Sequence, residues 1–267
     1  MTMKKTTLFV FAMMGAALAN AQTTGESIAK YREMIADGNP AELWEMRGAA
    51  LWSEKRGPNK ASLEGCDLGQ GAGVVKGAYV GLPRYFSDTG KVQDLEQRLV
   101  TCMTTLQGLS VAQATKQPFG AGSSKRSTME ALVTWIASES RGMPIAPGTG
   151  HAKERLAYQI GETIFNYRGG SHDFSCATCH SALGKRIRLQ DLPDLTNRAE
   201  AQKTYASWPA YRVSQGEVRT MQYRLNDCFR QQRFPEPGYT SEAITALTMY
   251  MAEQARGGEF DAPALKR

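Results

Sequence analysis

The stretch Cys176-Ala177-Thr178-Cys179-His180 has residue types and a spacing that define a chemistry. It is Cys-x-x-Cys-His, the attachment sequence for c-type haem. Two thiols three positions apart on a turn of helix can each add to a vinyl group of one haem, and the adjacent imidazole then reaches the iron from the proximal side. A zinc site is the competing reading. It needs a second pair of nitrogen or sulfur ligands at similar spacing, and a chain with 5 Cys and 3 His has no second Cys-x-x-Cys. One covalently bound haem c is therefore expected, held by Cys176, Cys179 and His180.

The elements that must position this motif come from an internal repeat. Pro83 through Cys102 aligns without gaps on Pro209 through Cys228 at a shift of 126. The matches are Pro83/Pro209, Tyr85/Tyr211, Gly90/Gly216, Val92/Val218, Arg98/Arg224, Leu99/Leu225 and Cys102/Cys228. Ala131–Ala137 parallels Ala246–Ala252, and each is followed by Arg-Gly, at Arg141-Gly142 and Arg256-Gly257. Gly48–Trp52 and Gly161–Phe165 stand 18 and 15 residues before Cys66 and Cys176. Three blocks in the same order predict a duplicated domain, 22–145 and 146–267, joined at Met143–Gly150 with its two Pro and two Gly. Each half reads as mainly helical, with helices expected over Val92–Met103, Ala152–Arg168 and Val218–Arg230, and few strands. Gly142 and Gly257 are natural helix stops. Gly69-Gln70-Gly71-Ala72-Gly73 lacks the full G-x-G-x-x-G spacing and reads as a loop rather than a nucleotide site.

The repeat also sorts the cysteines. Cys66 falls where the first half should carry its haem motif, but Asp67-Leu68-Gly69 follows it, without a second Cys or a His. The first half then reads as a haem-binding module without haem. Cys66 and Cys102 remain as a pair for a disulfide across the emptied site, with two free thiols as the alternative. Cys228 is the odd thiol. It can be a small buried hydrophobe or a distal ligand opposite His180. His151, His172, Met221, Met249 and Met251 compete for that place, and methionine is the commoner ligand in small electron carriers. The twin position of Cys102 favours Cys228. Arg224 lies four residues earlier, on the same helix face. There a guanidinium can lower the thiol pKa and grip an oxyanion through paired N–H donors. Arg98 beside Cys102 leaves inherited packing, or a former haem-propionate contact, as the alternative.

At the N-terminus, Lys4 and Lys5 precede a 12-residue apolar run, Leu8–Ala19, too short to span a bilayer. Ala19-Asn20-Ala21 is a small-x-small cleavage site. Residues 1–21 therefore read as a signal peptide cleaved after Ala21, with a soluble exported product and no membrane span. In a bacterium that product sits in the periplasm, where disulfides persist. Removing this segment lowers the formal charge from +6 to +4. Nothing resembles the basic stripe of a nucleic-acid binder, and a modest positive surface suits an anionic substrate or an acidic partner.

The Pro-x-Tyr…Gly-x-Val…Arg-Leu-x-x-Cys block in both halves, with Cys176–His180, resembles the SoxA family, the larger cytochrome subunit of bacterial SoxAX complexes. The resemblance covers nearly the whole mature chain. It implies two tandem cytochrome c-like domains, mainly α. The departure at Cys66-Asp67-Leu68-Gly69 points to the single-haem branch, where a disulfide (here Cys66–Cys102) replaces the first haem. It further implies His180 and Cys228 as axial ligands, an extra sulfur on Cys228 as a persulfide, and Arg224 as the active-site arginine. The implied activity is that of an L-cysteine S-thiosulfotransferase, joining thiosulfate to a cysteine of the carrier protein SoxYZ. The implied partner is SoxX, a monohaem cytochrome c, in a heterodimer, with a soluble cytochrome c as final acceptor. A plain electron-transfer cytochrome, with Met or His as distal ligand and a silent Cys228, is the competing function. A dihaem peroxidase-like enzyme would need two attachment motifs.

Overall fold

The structure is a computed structural model and describes residues 38–120, 127–187 and 190–266. The expected signal peptide, 1–21, lies outside the described residues. Residues 39–267 form one compact unit.

The repeat is visible as two copies of one helix crossing and one hairpin–helix unit. In the first copy, α1 (Glu42–Ser53) packs on α4 (Thr128–Ser138); in the second, α5 (Ala152–Asn166) packs on α9 (Glu242–Gln254). A glycine sits at each crossing. A Cβ on Gly48 would strike the Ala131 carbonyl and lie 2.6 Å from Trp135 Cβ; one on Gly161 would strike the Ala246 carbonyl and lie 2.8 Å from Tyr250 Cβ. The sequence blocks that repeat are thus the faces that touch.

Between those helices each copy carries a short antiparallel hairpin leading into a helix. In the first it is β1 (Arg84–Phe86), β2 (Lys91–Gln93) and α2 (Leu95–Thr105). The second has β5 (Ala210–Arg212), β6 (Glu217–Arg219) and α8 (Met221–Gln231). The registers coincide after the shift, Arg84↔Gln93 against Ala210↔Arg219. Gly90 and Gly216 turn the two hairpins at φ 66° and 67°, a region that glycine enters without strain. Both helices start three residues later than their periodicity predicts. Val92 and Val218 belong to strands, and the helices begin only after a side-chain cap: Asp94 accepts from Gln97 N at 2.9 Å and Thr220 from Tyr223 N at 3.2 Å.

Among the described residues the remaining elements are a 3₁₀ turn (Tyr79–Gly81), α3 (Val111–Ala114), α6 (Cys176–His180), the hairpin β3 (Arg186–Ile187) with β4 (Gln190–Asp191), α7 (Arg198–Tyr205), and β7 (Ala264–Lys266), which pairs parallel to β5. The glycine run 69–73 is a loop, as expected, and Asp67 Oδ1 accepts from Gly69 N and Gly71 N. The linker is tied down rather than free: Ala146 N donates to Val80 O (2.8 Å), Ile145 N to Gly258 O (2.9 Å) and Gly257 N to Ile145 O (2.8 Å).

The halves share one core and a buried polar seam. Arg219 pairs with Glu130 at 2.8 Å, Gln222 donates to Asp94 at 2.6 Å, and Tyr239 donates to Glu96 at 2.7 Å. Asn39 at the start of the unit donates to Pro263 O near its end, at 2.9 Å.

Candidate haem and anion site

Ser175 caps the short helix α6, accepting from Thr178 N at 3.1 Å, while the Thr178 hydroxyl accepts from Ser175 N at 2.9 Å. This box holds the turn on which Cys176, Cys179 and His180 project together. The three line a cavity of ≈ 390 Å³ that Arg224 and Cys228 of α8 also line. Phe165, Leu195, Trp208, Leu225 and Leu247 supply apolar surface, and Lys203 and Lys266 add positive charge.

His180 Nδ1–H donates to Pro193 O at 2.9 Å, which fixes the ring and leaves Nε2 for a ligand. Burial pushes the imidazole below its ordinary value, against the pull of the Pro193 carbonyl. It is therefore neutral at pH 7, the form that binds a metal. Burial pushes the Cys176 thiol up to about 12, helped by the nearby Cys228 and Cys179. Cys228 is also raised. Burial dominates there, and the guanidiniums of Arg224 and Arg212 oppose it without prevailing. The expected depression of this thiol by Arg224 is thus outweighed by desolvation in the free side chain.

Of the candidate distal ligands, Cys228, Met221 and Met251 line the cavity. His151 instead caps α5, accepting from Lys153 N at 3.2 Å, and stacks on Tyr85 with ring centres 3.7 Å apart. His172 lies in the exposed turn before α6, 5.7 Å from the Phe174 ring. Met249 is fully buried.

The donor set fits a haem: two thiols and an oriented imidazole on one short helix, a further thiol from α8, and apolar side chains lining the same cavity. Among the described residues no group of three or more His, Cys, Asp and Glu is placed to hold a bare metal ion. In the first half, Cys66 and Cys102 are bonded, with Cα atoms 5.6 Å apart, beneath a second cavity of ≈ 410 Å³ that Arg98 also lines.

One neighbour of the site was not singled out by motif or spacing. Arg212, at the end of β5, has a buried Nε with no hydrogen-bond partner. Burial and then the charge of Arg224 lower its pKa. The signal available in the sequence is a difference between the copies, Phe86 against Arg212 at the shift of 126, rather than an identity.

This frame of paired helix crossings around a Cys-x-x-Cys-His cavity defines a c-type cytochrome, and such a domain binds haem c. The sequence model described as "SoxA/TsdA, cytochrome c domain" matches residues 47–145 and again 160–260. The chain belongs to this SoxA/TsdA cytochrome c family. It is 51% identical to the L-cysteine S-thiosulfotransferase subunit SoxA of Hydrogenophilus thermoluteolus over 91% of this chain and 88% of that one. It is 31% identical to a protein of the same name from Hydrogenobacter thermophilus, over 94% and 92% of the two chains. The fold is similar to that in the crystal structure of SoxXA from P. pantotrophus, at TM-score 0.72, 24% identity, and 89% and 84% coverage.

Proposed function

We propose that the chain is the haem-carrying subunit of an L-cysteine S-thiosulfotransferase. The observation that carries the reading is the single cavity on which Cys176, Cys179, His180, Arg224 and Cys228 converge. In this reading the chain has two cytochrome c-like domains, 22–145 and 146–267, and one haem. Cys176 and Cys179 would hold the haem covalently, and His180 and Cys228 would be the side chains that bind its iron. The Cys66–Cys102 bridge stands in for the first haem; its separation of 36 residues stabilises the first half by about 3–4 kcal/mol in the chain-entropy model.

The haem, when bound, supplies a one-electron acceptor. Arg224 holds the thiosulfate anion beside Cys228, which serves as sulfur relay or contact. A carrier thiol and thiosulfate then yield a carrier thiosulfonate, one proton and two electrons. The carrier is the SoxYZ protein, the electrons leave to a SoxX cytochrome subunit and then a soluble cytochrome c, and the compartment is the periplasm. The names of the relatives and the signal-peptide pattern of residues 1–21 support these assignments. Among the described residues no helix is long and apolar enough to cross a membrane.

Low-temperature EPR of the oxidised, haem-loaded protein beside its Cys228→Ala variant tests the reading. A low-spin His/thiolate signal should vanish in the variant, together with thiosulfate coupling to the carrier. Because Met221 and Met251 line the same cavity, a plain electron carrier is the second reading. An unchanged His/Met signal with no coupling activity would establish that one instead.

A further inference from the structure

The two copies provide an internal comparison of one arginine in two settings. In the first half Arg98 is fully employed. Its Nη1 donates to both oxygens of Asp88 (3.0 and 2.7 Å), its Nε donates to Asp67 O (2.5 Å), and its guanidinium lies 4.1 Å from the centre of the Phe86 ring. Its twin Arg224 has lost both partners. At the shift of 126, Asp88 becomes Ser214 and the aromatic lid Phe86 becomes Arg212. The ion pair left to Arg224 is with Asp227 at 3.5 Å. That carboxylate is already taken by Arg230 (2.5 Å) and Gln231 (2.6 Å).

Arg212 is in the same position. It makes no side-chain hydrogen bond or ion pair among the described residues, and its Nε is both buried and unpartnered. The charges it senses are those of Arg224, Asp227 and Tyr223, all on α8, and of Arg219. A half-buried guanidinium beside another, with an orphaned N–H, is costly unless an anion satisfies it. In the haem-less copy the same site is filled by an apolar ring and a carboxylate. The difference between the copies therefore swaps a closed structural contact for two guanidinium forks, of which Arg224 keeps only a long, shared pair with Asp227 and Arg212 keeps none among the described residues.

We propose that Arg212 is a second anion-binding arginine, and that with Arg224 it selects a doubly charged oxyanion beside Cys228. This deepens the thiosulfate reading and rests on it for the identity of the dianion. Two guanidiniums held close repel each other; one dianion relieves both, whereas a monoanion leaves one charge uncompensated. Arg224 supplies the contact nearest the reacting sulfur, and Arg212 supplies charge discrimination.

The test compares sulfate with methanesulfonate, a monoanion with the same tetrahedral head, by calorimetric binding to the haem-loaded protein and its Arg212→Gln and Arg212→Phe variants. Sulfate affinity should fall roughly 10- to 100-fold in both variants, the size of a lost charge-assisted hydrogen-bonded contact, while methanesulfonate changes much less. In turnover with the partner cytochrome and the carrier, KM for thiosulfate should rise by a similar factor with kcat nearly unchanged. Arg212→Lys should restore part of the sulfate preference. Melting temperature should not fall in Arg212→Gln, because a repulsion is removed. Equal losses for the two anions, or an unchanged sulfate affinity, would overturn the assignment. A wild-type protein that discriminates sulfate through Arg212 but fails to couple thiosulfate would leave the clamp standing and remove the thiosulfotransferase reading.

Discussion

Arg98 and Arg224 occupy equivalent places on equivalent helices, yet they should respond oppositely to the same substitution. Arg98 is buried and bonded to Asp88 and to the Asp67 carbonyl. Arg98→Gln should therefore lower stability by roughly 1–3 kcal/mol, read from urea unfolding, and leave the haem spectrum intact. Arg224 is more exposed and weakly paired. Arg224→Gln should shift the urea midpoint by less than about 0.5–1 kcal/mol, the worth of an exposed pair, and abolish most thiosulfate coupling. A large stability loss at Arg224 would mean that it is packing after all. At this scale the Cys-x-x-Cys-His motif was legible from its spacing, and the bonded pair Cys66–Cys102 from the internal repeat. The sequence was not legible where the outcome depends on competing magnitudes. Spacing put a cation next to the Cys228 thiol, but only the three-dimensional burial shows that desolvation outweighs it. Arg212 escaped because its meaning lies in lacking a partner, which no motif records.

Among elements, the helix crossings depend on glycine. Gly161→Ala would push α5 away from α9, since a Cβ there meets the Ala246 carbonyl and Tyr250 Cβ. Alanine favours the helix by about 1 kcal/mol, but overpacking against a backbone typically costs about 1–3 kcal/mol. The net should be destabilising in chemical unfolding for Gly161→Ala and for Gly48→Ala alike. The haem spectrum should shift only in the former, because Phe165 and Leu247 of that crossing line the haem cavity. A spectral change in Gly48→Ala of equal size would show that the halves do not act separately. The repeat blocks located these helices well because their burial pattern has the helical period. The starts of α2 and α8 lie later than the periodicity gives because Val92 and Val218 fit that period equally well as the middle residues of strands. The Asp94 and Thr220 caps decide the boundary, and a cap is recognised only when the hairpin before it is known.

For the whole molecule, the two halves meet through a seam that holds ionisable groups away from water. Burial, with Asp94 nearby, pushes the Glu96 carboxyl from its ordinary 4.5 up to about 8, while hydrogen bonds to Thr220 and Tyr239 oppose the shift. The folded state thus binds this proton more tightly than the unfolded chain. Stability from this group is full below about pH 4.5 and is lost as pH rises to about 8, with a slope of at most about 1.4 kcal/mol per pH unit. Glu96→Gln should flatten that part of the profile, measured as urea midpoints across pH. A profile identical to wild type would show that Glu96 is ionised in the fold. The duplication was readable from sequence, but this seam was not: its residues are charged or polar and would ordinarily be placed on a surface. The contact between Asn39 and Pro263 has a different consequence. With its two ends side by side, the compact unit is close to a ring that happens to be cut at one point. Which half comes first along the gene is then incidental to the architecture. The exposed Thr149-Gly150 bond is a second place where the ring can be opened, giving a circular permutant that starts with the haem half and rebuilds the same cavity.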